Sequence, residues 1–260
     1  MGGIALRITL VQSSLHWESP VKNRSLFSEI IAPLANTTDL IVLPEMFTTG
    51  FSMNAEELSE PKDGPTVQWL IKTSKAVNAA ITGTLIIKEN NKFYNRLFFV
   101  MPDGNTHSYN KKHTFTLAGE DAIFTSGTTR IVIDYLGFKI CPFICYDLRF
   151  PVWGRNTNGY DILLYTANWP KKRIAAWDAL LKARAIENMS YCVGVNRIGV
   201  DGNNHPYVGH SAIYDCLGKQ VSREEFETAF VETVTVNKDH IDATRAQLQF
   251  LNDADEFTLT

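Results

Sequence analysis

Three reactive side chains of this sequence each stand at the end of an apolar run. Glu45 ends LIVLPE, Lys111 lies in YNKKHTF after a hairpin-like segment, and Cys145 ends KICPFIC just before the polar turn DLRFP. Catalytic groups are often presented where a rigid element gives way to a loop. Taken singly, each has a more ordinary interpretation, namely an inert core thiol, a solvated loop glutamate and a solvated turn at Lys111 and Lys112. Their combination is what predicts chemistry.

A cysteine nucleophile needs assistance, because a thiol with an ordinary pKa of about 8.5 is mostly protonated at neutral pH. Glu45 could accept that proton, and Lys111 could lower the pKa of the thiol and then stabilise an oxyanion. The backbone N–H of Tyr146, which directly follows Cys145, is the natural second oxyanion donor at a strand-to-turn elbow. The three side chains together predict acyl transfer through a covalent cysteine intermediate.

The polar neighbours of these residues have structural interpretations. His113 is expected to pack or to form a hydrogen bond beside the site rather than to act as a base. Asp147 and Arg149 are expected to brace the turn that follows Cys145. None of the three is therefore predicted to react.

The four cysteines, Cys141, Cys145, Cys192 and Cys216, are too few and too scattered for a disulfide scaffold. Cys141 and Cys145 lie in one predicted strand, where four residues span roughly 13 Å, beyond the roughly 7 Å Cα limit of a disulfide. No second Cys or His pair has zinc-ligand spacing, and the six histidines are dispersed. We therefore expect no disulfide scaffold and no metal.

Short apolar runs rich in β-branched and aromatic residues recur along the chain and predict strands. They cover residues 4–12, 39–45, 79–88, 93–101, 130–135, 138–145, 161–168, 191–197, 209–215 and 229–236. Helical periodicity covers residues 27–34, the segment after Gly64 and Pro65, 174–189 and 239–250. Several strands are apolar throughout, which indicates burial on both faces, and 93–101 followed by PDGN is typical of a hairpin arm. The mixture favours an α/β fold, a sandwich of two mixed β-sheets, over a purely parallel doubly wound sheet.

Length and charge narrow the class of protein. The 260 residues carry a net charge of −3 and 45% are hydrophobic, so the chain can bury a substantial core. No composition shift or repeat divides it, which predicts one domain over residues 1–260. There is no basic surface for nucleic acid or an anionic membrane, no apolar window reaches about 18 residues, and MGGIALRITLVQ lacks a signal-peptide pattern. We expect a cytoplasmic protein without nucleic-acid or membrane partners.

The Glu45, Lys111 and Cys145 blocks together resemble the nitrilase, or carbon–nitrogen hydrolase, superfamily over nearly the whole chain. LIVLPEMF, YNKKHTF and ICYDLRFP occur in the family's order, and their separations of 66 residues (45 to 111) and 34 residues (111 to 145) suit it. In the family's lysine block, the catalytic residue lies two positions before the histidine, which selects Lys111 over Lys112. The threonine of KKHTF departs from the usual KxHLF at a packing position.

Further stretches resemble the bacterial omega-amidase branch of that family, namely PEMFTTGFSM, ANWPKKRIAAWDALLKARAIENMSYCVGVNRIGVDGNN and YVGHSAIYDCLG. The resemblance implies hydrolysis of the terminal amide of 2-oxo dicarboxylic acid monoamides, such as 2-oxoglutaramate and 2-oxosuccinamate, with water and without a metal or organic cofactor. It implies an α-β-β-α sandwich that forms a homodimer with an α-β-β-α–α-β-β-α core. It also implies a supporting catalytic glutamate, which the segment AGED places at Glu120.

Residues near these blocks are candidates for the acyl pocket. Phe51, Tyr146 and Trp169 could wall a small flat pocket, and Arg173 could pair with a distal substrate carboxylate through a forked contact. Phe51 and Trp169 are equally typical of ordinary core, and KKR at 171–173 of a solvated helix start. The triad does not separate an aliphatic amidase, a nitrilase and an N-carbamoyl amide hydrolase from one another. Acyl transfer to an amine and a catalytically silent scaffold are further alternatives, and the intact Glu45, Lys111 and Cys145 argue against the scaffold.

Overall fold

Two β-sheets stacked face to face form the centre of the molecule in the computed structural model, which describes residues 3–224 and 226–258. The six strands of the first sheet are β1 (Ala5–Gln12), β2 (Leu40–Val42), β3 (Ala80–Glu89), β4 (Lys92–Val100), β5 (Thr106–Asn110) and β13 (Phe230–Asn237). Their order is β13-β1-β2-β3-β4-β5. The β1-β2 and β2-β3 pairs are parallel and the other pairs antiparallel, so the sheet is mixed.

The second sheet is mixed as well. Its strands are β6 (Ile133–Tyr135), β7 (Phe138–Ile144), β8 (Ile162–Ala167), β9 (Tyr191–Asn196) and β12 (Ala212–Tyr214), in the order β12-β9-β8-β7-β6. The three central strands are parallel, and each edge strand is antiparallel to its neighbour. A separate two-stranded hairpin, β10 (Ile198–Val200) and β11 (Pro206–Val208), follows β9.

Helices cover the outer faces of both sheets. Their bounds are α1 (Pro20–Ile31), α2 (Ala55–Leu58), α3 (Pro65–Val77), α4 (Glu120–Ile123), α5 (Pro151–Gly154), α6 (Ile174–Asn188) and α7 (Lys238–Leu248). Short 3₁₀ helices lie at Ala32–Leu34, Thr116–Ala118, Cys145–Arg149, Lys171–Arg173 and Phe250–Asp253. Helices α1 and α3 pack on the first sheet and α6 on the second. The predicted α/β sandwich, with the layers α-β-β-α, is confirmed.

Period-two alternation explains why the strands are apolar throughout. In β2, Leu40 and Val42 face the second sheet, whereas Ile41 between them joins the apolar cluster under α1 and α3. On the second sheet, Gly194 of β9 lets α6 approach closely, because an added Cβ there would lie 2.5 Å from a methyl carbon of Leu181. Both faces of these strands are therefore buried, as the sequence pattern predicted.

Each of the ten predicted strand segments overlaps a strand, and the four helical patterns overlap α1, α3, α6 and α7. Helix α1 begins at Pro20, seven residues before the predicted pattern at 27–34. The run 138–145 was extended one residue too far, since the strand ends at Ile144 and Cys145 opens a 3₁₀ helix. The hairpin of β10 and β11 was not predicted. Residues 1, 2, 225, 259 and 260 of the predicted domain lie outside the described part of the chain, and the one-domain interpretation stays a prediction. Within the described residues, no helix is long and apolar enough to cross a membrane.

Candidate active site

Glu45, Lys111, Glu120 and Cys145 form one buried cluster. Glu45 follows β2, Lys111 follows β5, Glu120 begins α4, and Cys145 follows β7. The side chains of Glu45, Lys111 and Glu120 are at most 1% exposed, and Cys145 is 9% exposed. Strands β2 and β7 belong to different sheets, so the stacking of the two sheets is what brings Glu45 and Cys145 together.

The Lys111 ammonium lies between the two carboxylates. Its Nζ donates to Glu45 Oε1 at 2.9 Å and to Glu120 Oε1 and Oε2 at 3.0 Å and 2.9 Å. The neighbouring Lys112 instead points to the ring of Trp153, with its Nζ 5.3 Å from the centroid. The structure therefore brings Lys111, and not Lys112, into the cluster, as the family register predicted.

Two asparagines hold Glu45 in place. Asn95, on β4, donates from Nδ2 to Glu45 Oε1 at 2.8 Å and to Glu120 Oε1 at 3.2 Å. The backbone N–H of Asn168, just after β8, donates to Glu45 Oε2 at 2.8 Å, and its side chain donates to the backbone carbonyl of Glu45. Sequence reasoning missed both asparagines. The available signal was a buried-strand amide in β4, beside Arg96, and another amide directly after β8.

Cys145 lies at a sharp elbow between β7 and the 3₁₀ helix. Its φ is +41°, a left-handed conformation that costs an L-residue roughly 1–2 kcal/mol. Asp147 braces the elbow, because its carboxylate accepts hydrogen bonds from the N–H of Ile144 at 3.1 Å and from Tyr109 Oη at 2.8 Å. It also accepts from the backbone N–H of His113 at 2.9 Å. The bracing role expected for Asp147 and the hydrogen bond expected for His113 agree with this geometry.

Burial controls the pKa values of the cluster. Burial raises the pKa of the Cys145 thiol well above its ordinary value, the charge of Glu45 raises it further, and Lys111 opposes both. Lys111 lowers this pKa, as expected, but burial and Glu45 outweigh it. Burial alone would lower the pKa of Lys111, but Glu120 and Glu45 outweigh it and raise this pKa, so the ammonium stays charged. Burial also raises the pKa of Glu120, against the lowering effect of Lys111.

A cavity of about 250 Å³ leads from solvent to Cys145. Phe51, Tyr146, Trp169 and Arg173 all line it, as the sequence predicted. The ring of Phe51 lies 5.2 Å from Lys111 Nζ, measured to its centroid. Trp169 is almost fully buried and donates its indole N–H to the backbone carbonyl of Arg173 at 2.8 Å, so it is both wall and core.

The mouth of the cavity is cationic. Arg149, Lys172 and Arg173 line it, and none of the three pairs with a carboxylate in the part of the chain that the structure describes. Arg149 lies over the ring of Trp169 and Arg173 over that of Phe115, each 4.9 Å from the centroid. Burial lowers the pKa of Arg173, and the charge of Arg149 lowers it further. Arg149 and Lys172 were not predicted as pocket residues.

The hairpin of β10 and β11 also lines the cavity, with β11 beside the 3₁₀ helix Lys171–Arg173, and sequence reasoning did not predict it. Asp201, Asn203, His205 and Tyr207 line the cavity. Asp201 is already satisfied, because it accepts hydrogen bonds from the backbone N–H groups of Asn203 and His205 and from Tyr207 Oη. Among residues 3–224 and 226–258, no group of three His, Cys, Asp or Glu side chains could hold a metal ion.

Comparison with known proteins places the chain in a family. The sequence model named Carbon-nitrogen hydrolase matches residues 7–246. An "Omega-amidase YafV" from Yersinia enterocolitica is 40% identical over 254 residues, which cover 98% of each chain. A "2-oxoglutaramate amidase" from Bacillus subtilis is 34% identical over 227 residues, covering 84% of this chain and 87% of the relative.

Solved structures agree with these matches. XC1258 from Xanthomonas campestris, a CN-hydrolase superfamily protein with an arsenic adduct in its active site, has a TM-score of 0.96 and 40% identity. The match covers 98% of this chain and 99% of that one. Since the family model, the relatives and the structural match each span most of the chain, this protein belongs to the carbon–nitrogen hydrolase family.

Proposed function

We propose that this protein is an omega-amidase. It hydrolyses the terminal amide of a 2-oxo dicarboxylic acid monoamide, such as 2-oxoglutaramate or 2-oxosuccinamate, to the dicarboxylate and ammonia. The observation that carries the proposal is a single cavity with Cys145 at its base and three unpaired cations at its mouth. The similarity to relatives named omega-amidase and 2-oxoglutaramate amidase supports the same substrate class.

In the proposed mechanism, Cys145 is the nucleophile and Glu45 is the general base. The thiol proton passes to Glu45, and the thiolate attacks the amide carbon. Glu45 then gives the proton to the departing nitrogen, because ammonia leaves readily only when that nitrogen is protonated. Carbon–nitrogen cleavage leaves a thioester on Cys145. Glu45 next activates a water, and hydrolysis of the thioester releases the carboxylate product and restores the thiol.

The net charge of the cluster supports the roles of Cys145 as nucleophile and Glu45 as general base. Two carboxylates and one ammonium give a net charge of −1, and proton transfer from Cys145 to Glu45 leaves that sum unchanged. Loss of the thiol proton to solvent would instead bury a second net negative charge, which is costly. Deprotonation is therefore coupled to Glu45, in agreement with the raised pKa of the Cys145 thiol.

Lys111 and the backbone N–H of Tyr146 are the proposed oxyanion donors. Tyr146 lies in the first turn of the 3₁₀ helix, where N–H groups have no partner inside the helix. Lys111 lines the cavity beside Cys145, and Glu120 holds its ammonium through both carboxylate oxygens. Preorganised donors of this kind stabilise the charge that develops on the carbonyl oxygen.

Arg173 is the proposed partner of the distal carboxylate, and Phe51 and Trp169 are the proposed walls around the substrate chain. A guanidinium without a protein carboxylate can pair with a substrate carboxylate in a forked, charge-assisted contact. Arg173 also lies at the N-terminus of α6, and the helix dipole favours an anion there. Arg149 adds a second positive charge near the same position.

The test compares kcat/KM for 2-oxoglutaramate, glutamine and propionamide. A site that pairs the carboxylate should reject propionamide strongly, since propionamide has no carboxylate for these cations to pair with. Arg173→Leu should reduce the preference for 2-oxoglutaramate over propionamide. Lys171→Leu is the matched control, because Lys171 is a cation two positions earlier that does not line the cavity. Equal kcat/KM values for all three substrates would contradict the omega-amidase proposal and indicate a generic amidase.

A homodimer and a cytoplasmic location belong to the same proposal. An exposed apolar surface supports the homodimer. Ile186 of α6 is 47% exposed and lies against Gly218, next to Leu217, which is 56% exposed. Size-exclusion chromatography with light scattering tests the oligomeric state, and cell fractionation tests the location.

A further inference from the structure

The four oxygens of the two buried carboxylates differ in how many N–H donors they accept. Glu45 Oε1 accepts from Lys111 and Asn95, and Glu120 Oε1 accepts from the same two residues. Glu120 Oε2 accepts from Lys111 and from the backbone N–H of Phe115 at 2.6 Å. Glu45 Oε2 alone has a single N–H donor among the described residues, the backbone N–H of Asn168.

We propose that Glu45 Oε2 is the atom that takes the proton from Cys145, and that Asn95 is the positioning residue that makes it so. An ionised carboxylate oxygen has two lone-pair sites, and the other three oxygens have both sites occupied. The S–H bond of Cys145 breaks, an O–H bond forms at Oε2, and the electron pair stays on sulfur. The inference rests on the proposed function, because it assumes the roles given above to Glu45 and Cys145.

Asn95 is arranged for this task. It lies on β4, its side chain is buried, and both hydrogens of its Nδ2 point to carboxylates of the cluster. Its Oδ1 is also buried and has no hydrogen-bond partner in the described part of the chain. An unpaired buried acceptor costs free energy, which a residue that served packing alone would avoid. The two carboxylates fix the amide orientation, since only Nδ2 can donate to them.

Asn95 should influence the pH dependence of proton transfer from Cys145 to Glu45. The titratable and charged groups that face Glu45 are Lys111 from the end of β5, Glu120 from α4 and Cys145 from the 3₁₀ helix. The amide of Asn95 donates to the ionised form of both carboxylates and so favours that form. Without this donor, the ionised form of the cluster is less favoured, so transfer of the thiol proton should require a higher pH.

The experiment measures the rate at which iodoacetamide alkylates Cys145 between pH 4 and pH 9, as a readout that needs no substrate. The alkylation rate should fall towards low pH, and this fall is called the acidic limb of the profile. In Asn95→Leu, which keeps the shape of the side chain but removes the N–H donors, the acidic limb should move to higher pH by about one unit. Amide hydrolysis should show the same shift, so kcat/KM below the limb falls about tenfold and recovers at higher pH, with KM changed little. If Asn95→Leu does not fold, Asn95→Asp serves, because it also removes both N–H donors of Nδ2 and adds a third carboxyl group.

Thr84→Val is the matched control. Thr84 is as buried as Asn95, lies on the neighbouring strand β3, and accepts a hydrogen bond from the N–H of Met46, directly after Glu45. It touches neither carboxylate by a hydrogen bond, so its loss should lower the thermal midpoint and leave the limb unmoved. An unshifted limb in the Asn95 variants would overturn the inference even if omega-amides are hydrolysed. A shifted limb in a protein that hydrolyses no omega-amide would keep the inference and overturn the proposed substrate.

Discussion

Burying two carboxylates around one ammonium is tolerable only when their oxygens find donors. Lys111, Asn95 and the backbone N–H groups of Phe115 and Asn168 supply them. In the proposed mechanism, Cys145 depends on Glu45 for deprotonation, because burial keeps the pKa of the thiol raised. At the scale of single residues, burial therefore keeps the Cys145 thiol neutral until its proton passes to Glu45 in the proposed mechanism.

Cys145→Ser should keep the fold, because oxygen replaces sulfur with little loss of volume, and should reduce hydrolysis by several orders of magnitude. Ammonia release and the thermal midpoint are the two measurements. Cys141→Ala is the control, since Cys141 is a buried core thiol on β7, the strand that precedes Cys145, and its loss should cost some stability without loss of turnover. Near-normal turnover by Cys145→Ser would remove Cys145 from the mechanism.

Lys111→Met and Lys112→Met should differ sharply. Losing one oxyanion donor typically costs about 10²–10³ in rate, and Lys111→Met also leaves two buried carboxylates without their cation. We expect loss of activity and a lower thermal midpoint. Lys112 contacts Trp153 instead, so Lys112→Met should keep most of the activity. If Lys112→Met abolished activity and Lys111→Met did not, Lys112 would be the essential lysine.

The sequence predicted these reactive residues better than their supports. Glu45, Lys111 and Cys145 stand out because reactive side chains at the ends of apolar runs are unusual as a set. Asn95 does not stand out, since an amide next to Arg96 in a strand of mixed polarity gives no indication of what it faces. Its two carboxylate partners lie 50 and 25 residues away in the sequence, and only the fold brings them together.

At the scale of elements, the candidate catalytic residues lie at the ends of strands, and one hairpin lines the pocket. Glu45, Cys145 and Asn168 all follow the carboxyl ends of parallel strands, where loops converge. The hairpin of β10 and β11 lies outside both large sheets and closes the cavity with residues 201–207. Its strands have three residues each and are partly exposed, which is too short for an alternating pattern to be recognised.

Tyr207→Phe tests whether this hairpin shapes the pocket. Burial raises the pKa of Tyr207, Asp201 raises it further, and the hydroxyl donates to Asp201 Oδ2 at 2.8 Å. Asp201 keeps its two backbone donors, so we expect a loss of about 1 kcal/mol in the free energy of unfolding and a higher KM for 2-oxoglutaramate. Tyr94→Phe is the control, since Tyr94 does not line the cavity. An unchanged KM would show that the hairpin does not bear on substrate binding.

At the scale of the whole molecule, burial of strands on both faces was predictable and their arrangement was not. Continuous apolar runs indicate that a strand is covered on both sides, which led to the sandwich. The assignment of β13 to an edge beside β1, at the other end of the chain, depends on pairing that no local pattern reports. The resemblance to a known family, rather than periodicity, was what supplied the order of the layers.

The exposed apolar surface at Ile186 on α6 is the proposed dimer interface. Ile186→Glu should yield a monomer that stays folded, because a charge buried at the proposed dimer interface lacks a partner while the isolated subunit keeps it in water. Val21→Glu is the control, since Val21 is 71% exposed on α1, which covers the opposite sheet, and the variant should stay dimeric. Light scattering gives the mass, and the thermal midpoint shows whether each variant is folded. A wild-type chain that is monomeric at micromolar concentration would exclude the homodimer, and a dimer unchanged by Ile186→Glu would place the interface elsewhere on the surface.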